Sequence, residues 1–228
     1  MRLQYVQVKQ LSVNERFIYR KRRILDNISF SIRHGEAIGL FVENRQEREW
    51  LMDLLLGMKK PNRGEIIIGQ HTITNVNEEE AARIRREEVA FVSSRTLLMT
   101  EATVEANLQV NKWLNKKAYA NKAHLKQLLI YFEAESLCRK YVKDLDSREK
   151  ELVRLIRALW MSPYLILMEE PEDARTLKQL IQYTWSRQIT FLFTTSQLKK
   201  AELAHGMLSI KGGVLEDHSR LERGRVQE

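Results

Sequence analysis

The segment AIGLFVENRQEREWLMDLLLG, residues 37–57, reads as an apolar strand over 37–41 feeding an amphipathic helix over roughly 47–57, with Leu51, Leu54 and Leu55 on one face. A phosphate-binding loop at such a junction has the form G-x-x-x-x-G-K-[ST]. Its glycines let backbone N–H groups close around phosphates. Here the window from Val42 to Glu49 contains neither glycine nor lysine. Val42 and Glu47 hold the two glycine positions, Arg48 the lysine position, and Glu49 and Trp50 the hydroxyl positions. Residues 43–49 include Glu43, Arg45, Glu47, Arg48 and Glu49, a net charge of −1. Like charges about 4 Å apart repel by roughly 4 kcal/mol at an effective dielectric of about 20. Three carboxylates placed there would oppose a triphosphate unless they point away. The residues read instead as a strand-to-helix turn with a solvated N-terminus, Arg48 making surface ion pairs with its flanking glutamates.

On the N-terminal side, Leu3, Tyr5, Val6 and Val8 alternate in part and residues 28–32 alternate cleanly, as strands do, before a turn at His34-Gly35. The basic run Arg20-Lys21-Arg22-Arg23 reads as a solvated hairpin or loop tip. Beyond residue 57, Pro61-Asn62-Arg63-Gly64 is turn chemistry and residues 65–68 are a strand. Residues 78–86 are a charged helix and 89–92 a buried strand. From about Val104 to Trp160 the pattern is helical, with neither glycine nor proline. Leu152, Leu155, Ile156 and Leu159 form its clearest apolar stripe. Buried strands at 165–168 and 190–193, helices at 177–185 and 199–205, and a hairpin turning at Gly212-Gly213 complete the chain.

Buried strands alternating with helices predict an α/β fold with a parallel sheet core. The opening strands predict an antiparallel β flank, and residues 101–160 an inserted α-helical subdomain. We read one domain over 1–228, with an α/β core at 1–100 and 161–217 and a polar tail at 218–228.

A chain of 228 residues, 43% hydrophobic, builds an ample core. No signal peptide is read at the start, and no apolar run approaches the roughly 20 residues of a membrane span. Cys138 is the sole cysteine, which rules out a disulfide framework and suits a reducing interior. The five histidines are scattered without metal-ligand spacing, and no basic-aromatic stripe marks a nucleic-acid surface. The net charge of +8 reads as solubility or as attraction to anionic lipid head groups or nucleic acid, with a membrane-facing setting slightly favoured.

Several stretches, in this order, are similar to the ATP-binding cassette of ABC transporters over almost the whole chain. Residues 25–36, LDNISFSIRHGE, match that family's lead-in, and residues 57–66, GMKKPNRGEI, its G-x-x-x-P-x-x-G-E-I stretch. Residues 103–108, TVEANL, resemble its TVxEN segment. Arg157-Ala158-Leu159, Pro163 and residues 165–171, LILMEEP, resemble its RAL…P…LLLLDEP, and Gly212-Gly213-Val214-Leu215 its late hairpin. The resemblance implies a P-loop NTPase-like parallel sheet.

It also implies sites, and this chain departs from most of them. Ser94 stands at the family's Q-loop glutamine and is too short for its role. Leu145-Asp146-Ser147-Arg148-Glu149 replaces the signature LSGGQ, with Asp146 at the serine and Ser147 at the first glycine. Asp146 reads as a helix N-cap, completed by Glu149 into a capping box. Ser196 stands at the switch histidine. The carboxylate pair persists: Glu170 at the catalytic glutamate position, and Glu169, one methylene longer than the usual aspartate, at the metal position. Phe17 or Tyr19 would be the adenine-stacking aromatic. No cofactor is expected to bind tightly; ATP and Mg²⁺ enter through the resemblance alone.

The expected function is therefore a subunit of an ABC transporter complex whose ATP-site motifs are degenerate, a pseudo-ATPase with a structural or regulatory role. It would dock on a membrane permease and pair with a second cassette, as a homodimer or, better, a heterodimer. It would be cytoplasmic, held at the inner face of the membrane by its partners, without a specific nucleic acid. The alternatives are a working ATP-hydrolysing subunit that energises transport and, lower, a cytosolic cassette-like protein that binds nucleic acid or ribosomes.

Overall fold

The computed structural model describes residues 3–17, 20–114 and 122–216. Tyr19 and the tail at 218–228 lie outside the described residues, as do the side chains of Phe17, Arg20 and Lys21.

Two sheets share the chain. β1 (Gln4–Phe17) and β2 (Arg20–Arg33) form a long antiparallel hairpin, joined by β4 (Arg63–Ile68) and β5 (His71–Thr72) in the order β2-β1-β4-β5. β3 (Ala37–Val42), β6 (Val89–Val92), β7 (Leu165–Glu169), β8 (Thr190–Thr195), β9 (Gly206–Lys211) and β10 (Val214–Glu216) form the second, ordered β10-β9-β3-β8-β7-β6. Its pairings are parallel except for the β9–β10 hairpin. The fold is the expected α/β architecture with mixed sheets.

The period of two in each buried strand splits the core. Ile38, Leu40 and Val42 of β3, with Leu165 and Leu167 of β7, pack toward the antiparallel sheet and α1 (Arg45–Leu55). Ile166, Met168, Phe191 and Phe193 pack on the other face, against α3 (Val104–Leu114), α4 (Lys122–Tyr131), α5 (Ser147–Leu159) and α6 (Ala174–Ser186). α2 (Glu78–Glu87) precedes β6, and the short α7 (Leu198–Ala201) follows β8. At Gly39 in mid-β3, an added Cβ would lie 2.4 Å from the Ala201 carbonyl oxygen, so glycine alone lets α7 sit against the strand.

Two sequence expectations are corrected. The helical stretch 104–160 is not continuous: residues 132–146 hold only two 3₁₀ turns, Glu135–Leu137 and Val142–Asp144. Glu133 leaves α4 at φ +55°, and the following chain folds back on the start of α3, where the Val104 amide donates to the Lys140 carbonyl at 3.0 Å and the Val142 amide to the Ala102 carbonyl at 3.0 Å. The opening strands are also longer than alternation predicted, because bulges between Val8 and Asn14 break the period while the pairing continues.

Candidate functional site

Parallel register aligns the C-terminal ends of four strands. Phe41 pairs with Thr195, Glu169 with Thr194 and Val92 with Met168, so Val42, Ser93, Glu169 and Thr195 meet along one edge. Such an edge is where open α/β sheets place ligands.

α1 rises from this edge directly behind β3. Asn44 is its N-cap, and Oδ1 accepts from the amides of Gln46 at 2.9 Å and Glu47 at 3.4 Å. The first-turn N–H groups that would otherwise face an anion are thereby partly satisfied. The N-terminus is not solvated as expected: Glu47 and Arg48 are both 8% exposed. Arg48 does not make the expected surface pairs with its neighbours. Nη1 donates to the carbonyl oxygens of Val42 at 2.6 Å and Glu43 at 2.8 Å, and Nε lies 3.2 Å from Glu170 Oε2. The side chain is long enough to reach back over the loop, and the buried carbonyls need a donor. The surface pair is made instead by Arg45 and Glu49, at 2.8 Å. The three nearby carboxylates do not converge on Arg48. Glu43 is exposed, Glu49 turns to Arg45, and Glu47 lines a different cavity from Arg48. Trp50 lies under the Lys59 ammonium, 3.9 Å from the ring centroid.

Glu170 follows β7 with φ +47°, and its carboxylate accepts from Thr195 Oγ1 at 2.9 Å and from the Ser196 amide at 2.9 Å. Ser196 therefore acts through its backbone. Glu169 Oε2 accepts from Ser93 Oγ at 2.8 Å and from Arg95 Nε at 3.0 Å. Arg95 continues to Asp53 Oδ1 at 2.8 Å, and Asp53 Oδ2 is 2.9 Å from Lys59. Burial pulls the Arg95 guanidinium down, but Asp53 and Glu169 together carry it above its ordinary range. Ser94 is exposed beside this network.

A cavity of about 230 Å³ opens here, and every residue lining it except Ser94 is charged. Arg48, Arg95 and Arg154 face Glu151, Glu169 and Glu170 within it. Glu151 on α5 accepts the Glu172 amide at 3.1 and 3.0 Å with its two oxygens. Burial pushes its pKa up to about 7, against the opposing pull of that amide. The buried Lys200 donates to the Pro171 carbonyl and, at 3.0 Å, to that of Glu172. Asp146 and Ser147 do not line the cavity. Asp146 caps α5 in a complete capping box: the Glu149 amide donates to Asp146 Oδ1 at 2.8 Å and the Asp146 amide to Glu149 Oε2 at 3.1 Å.

Sequence reasoning brought Arg48, Glu49, Ser94, Glu169 and Glu170 to one place but missed Asn44, Asp53, Ser93, Arg95, Glu151 and Thr195. Asn44 carried a readable signal, an N-cap residue just before a helix. Arg95 carried none, because its partners lie 42 and 74 residues away.

Comparison with known proteins agrees with the fold. The family model described as ABC transporter matches residues 25–173. The chain is 26% identical over 200 residues to the ABC transporter ATP-binding protein YtrE of Bacillus subtilis, covering 84% of this chain and 87% of that protein. It is 24% identical over 209 residues to the macrolide export ATP-binding/permease protein MacB of Campylobacter jejuni, covering 89% of this chain but only 33% of that longer protein. The dimeric ABC transporter cassette MJ0796 superposes with a TM-score of 0.84 at 19% identity, over 96% of this chain and all of that one. With a family model spanning most of its length and the fold of the solved cassettes, the chain belongs to the ABC transporter family.

Proposed function

We propose that this chain is a cassette subunit of an ABC transporter complex that has kept the fold and docking surfaces of its family without nucleotide chemistry. The observation that carries this reading is the Arg48 side chain, which spans the loop carbonyls and the Glu170 carboxylate. A triphosphate and Mg²⁺ do not fit these residues. Side chains stand at both glycine positions, Asn44 occupies amides of the first turn, and the Arg95 guanidinium holds Glu169, the metal position. The role is then structural or regulatory, beside an ATP-competent second cassette. A heterodimer suits it better than a homodimer, because a homodimer would repeat the altered loop in both sites.

Docking on a membrane permease is supported by the loop after β6. Leu97 is 86% and Met99 46% exposed, yet the loop backbone is anchored. Arg154 Nε donates to the Thr96 carbonyl at 2.8 Å, Arg157 Nη2 to that of Leu97 at 3.0 Å, and buried Asn107 pairs with the Met99 amide and carbonyl at 2.7 and 3.0 Å. Exposed apolar side chains on a held backbone suit a protein partner. No helix among the described residues is long and apolar enough to cross a membrane, so contact with the inner membrane face would come through the partner and the net charge of +8.

The test is MgATP titration and turnover by the purified chain, with co-purification from membranes. No saturable ATP binding is expected, together with recovery of a permease and a second cassette. Mg²⁺-dependent turnover abolished by Glu170→Gln would overturn the reading in favour of a working ATPase. Alanine at Leu97 and Met99 should release the permease.

A further inference from the structure

A second cavity, about 290 Å³, lies between the end of β3, the first turn of α1 and the β9–β10 hairpin. In a chain of net charge +8 its lining is acidic: Glu43, Glu47 and Glu216 against one lysine, Lys211. Glu47 is 8% exposed. Its Oε2 is buried and has no hydrogen-bond partner, although the Gly213 amide donates to the carboxyl group. Burial raises the Glu47 pKa, and the nearby Arg22, itself exposed, does not offset it. A buried acceptor left without a donor costs about 1–3 kcal/mol, more when charged. Such a group in a native fold calls for an explanation, and a bound ion that completes it is one.

We propose that this cavity binds a single primary ammonium or guanidinium group, ion-paired to Glu47. The chemistry excludes the other charges. An anion finds three carboxylates here, and the amides of Gln46 and Glu47 already donate to Asn44. A metal ion lacks a suitable ligand set among the described residues. An organic cation needs one strong acceptor, further negative charge and an apolar wall for its stem. Glu47 supplies the first. Glu216, which also accepts from Ser209 Oγ at 3.1 Å, and Glu43 supply the second. Phe41, Leu198 and Ile210 supply the third. The cation arrives either as a free small amine or on a lysine or arginine side chain of a partner protein. The inference is independent of whether the opposite side of α1 handles nucleotide.

The experiment titrates the full chain with butylammonium and methylguanidinium, and separately with lysine and arginine capped at both ends as N-acetyl methylamides. It is run in mildly alkaline, low-salt buffer and followed at the backbone amides of Ser209 and Gly213 by NMR. Saturable shifts at both amides are expected, weakened about tenfold by Glu47→Gln because a charge-assisted hydrogen bond is lost. Glu43→Lys, on an exposed side chain, should weaken binding and Lys211→Glu should tighten it. These two variants keep the proposal testable if Glu47→Gln disturbs folding. Tighter binding of the capped residues than of the bare cations assigns the site to a partner's side chain, and equal binding assigns it to a free amine. Absence of saturation with every probe, binding indifferent to all three substitutions, or full displacement by Mg²⁺ would overturn it.

Discussion

Arg48 Nε lies 3.2 Å from Glu170 Oε2, while Nη1 of the same guanidinium bridges the carbonyls of Val42 and Glu43. One side chain thus ties the base of α1 to the ends of β3 and β7. Its removal takes the guanidinium donor from two carbonyls and leaves the Glu170 carboxylate with Thr195 and the Ser196 amide alone. Arg48→Met should therefore destabilise the protein by about 3 kcal/mol. Glu170→Gln should cost about 1 kcal/mol, because its carboxylate is partly solvated and an amide still accepts from Thr195 and Ser196. The double variant should cost less than the sum, read from urea denaturation as a coupling of about 1 kcal/mol.

Arg95 joins two carboxylates whose side chains are each 10% exposed, Asp53 and Glu169. Arg95→Met leaves Asp53 with Lys59 and Glu169 with Ser93 as their remaining partners in a poorly solvated place, with an expected loss of roughly 3 kcal/mol. Adding Glu169→Gln to that variant should recover part of the loss, since Ser93 can still donate to the amide oxygen. A further loss on adding it would show that Arg95 acts through packing rather than charge.

Glu151 predicts a pH dependence of unusual sign for a carboxylate. Its folded pKa of about 7 lies above the ordinary 4.5 because burial disfavours the charge. The folded state therefore binds the proton more tightly, and the stability it contributes is full below 4.5 and is lost as pH rises through about 7. Relative to Glu151→Gln, the unmodified protein should lose on the order of 3 kcal/mol across that window. Denaturation midpoints of the two proteins that run parallel with pH would contradict the assignment.

The capping box at α5 is reciprocal, so either half can be removed alone. Asp146→Ala should cost about 1 kcal/mol, and Asp146→Gly only a few tenths. Thermal melts check this.

The sheet and its flanking helices were legible because each buried strand is a short apolar run bounded by turn residues, as at 165–168 between Pro163 and Pro171. The capping box was legible because N-cap chemistry is local. Arg48 was misread because its flanking glutamates suggested local pairs, whereas a buried carbonyl six residues back competed for the same donor. Glu151 was invisible for a related reason: a carboxylate on an amphipathic helix reads as solvated until the loop at 171–172 covers it. Local rules find elements and caps; the charge network depends on which strand ends the topology brings together.

Gly39 sits in the middle of β3, away from all of these charges, yet it governs how close α7 approaches. α7 carries Lys200, whose ammonium grips the carbonyls of Pro171 and Glu172 immediately after Glu170. A single methyl group at position 39 would therefore act as a wedge with a long lever arm. It would lift the helix, slacken the grip on the loop and shift the posture of the carboxylate pair without touching it.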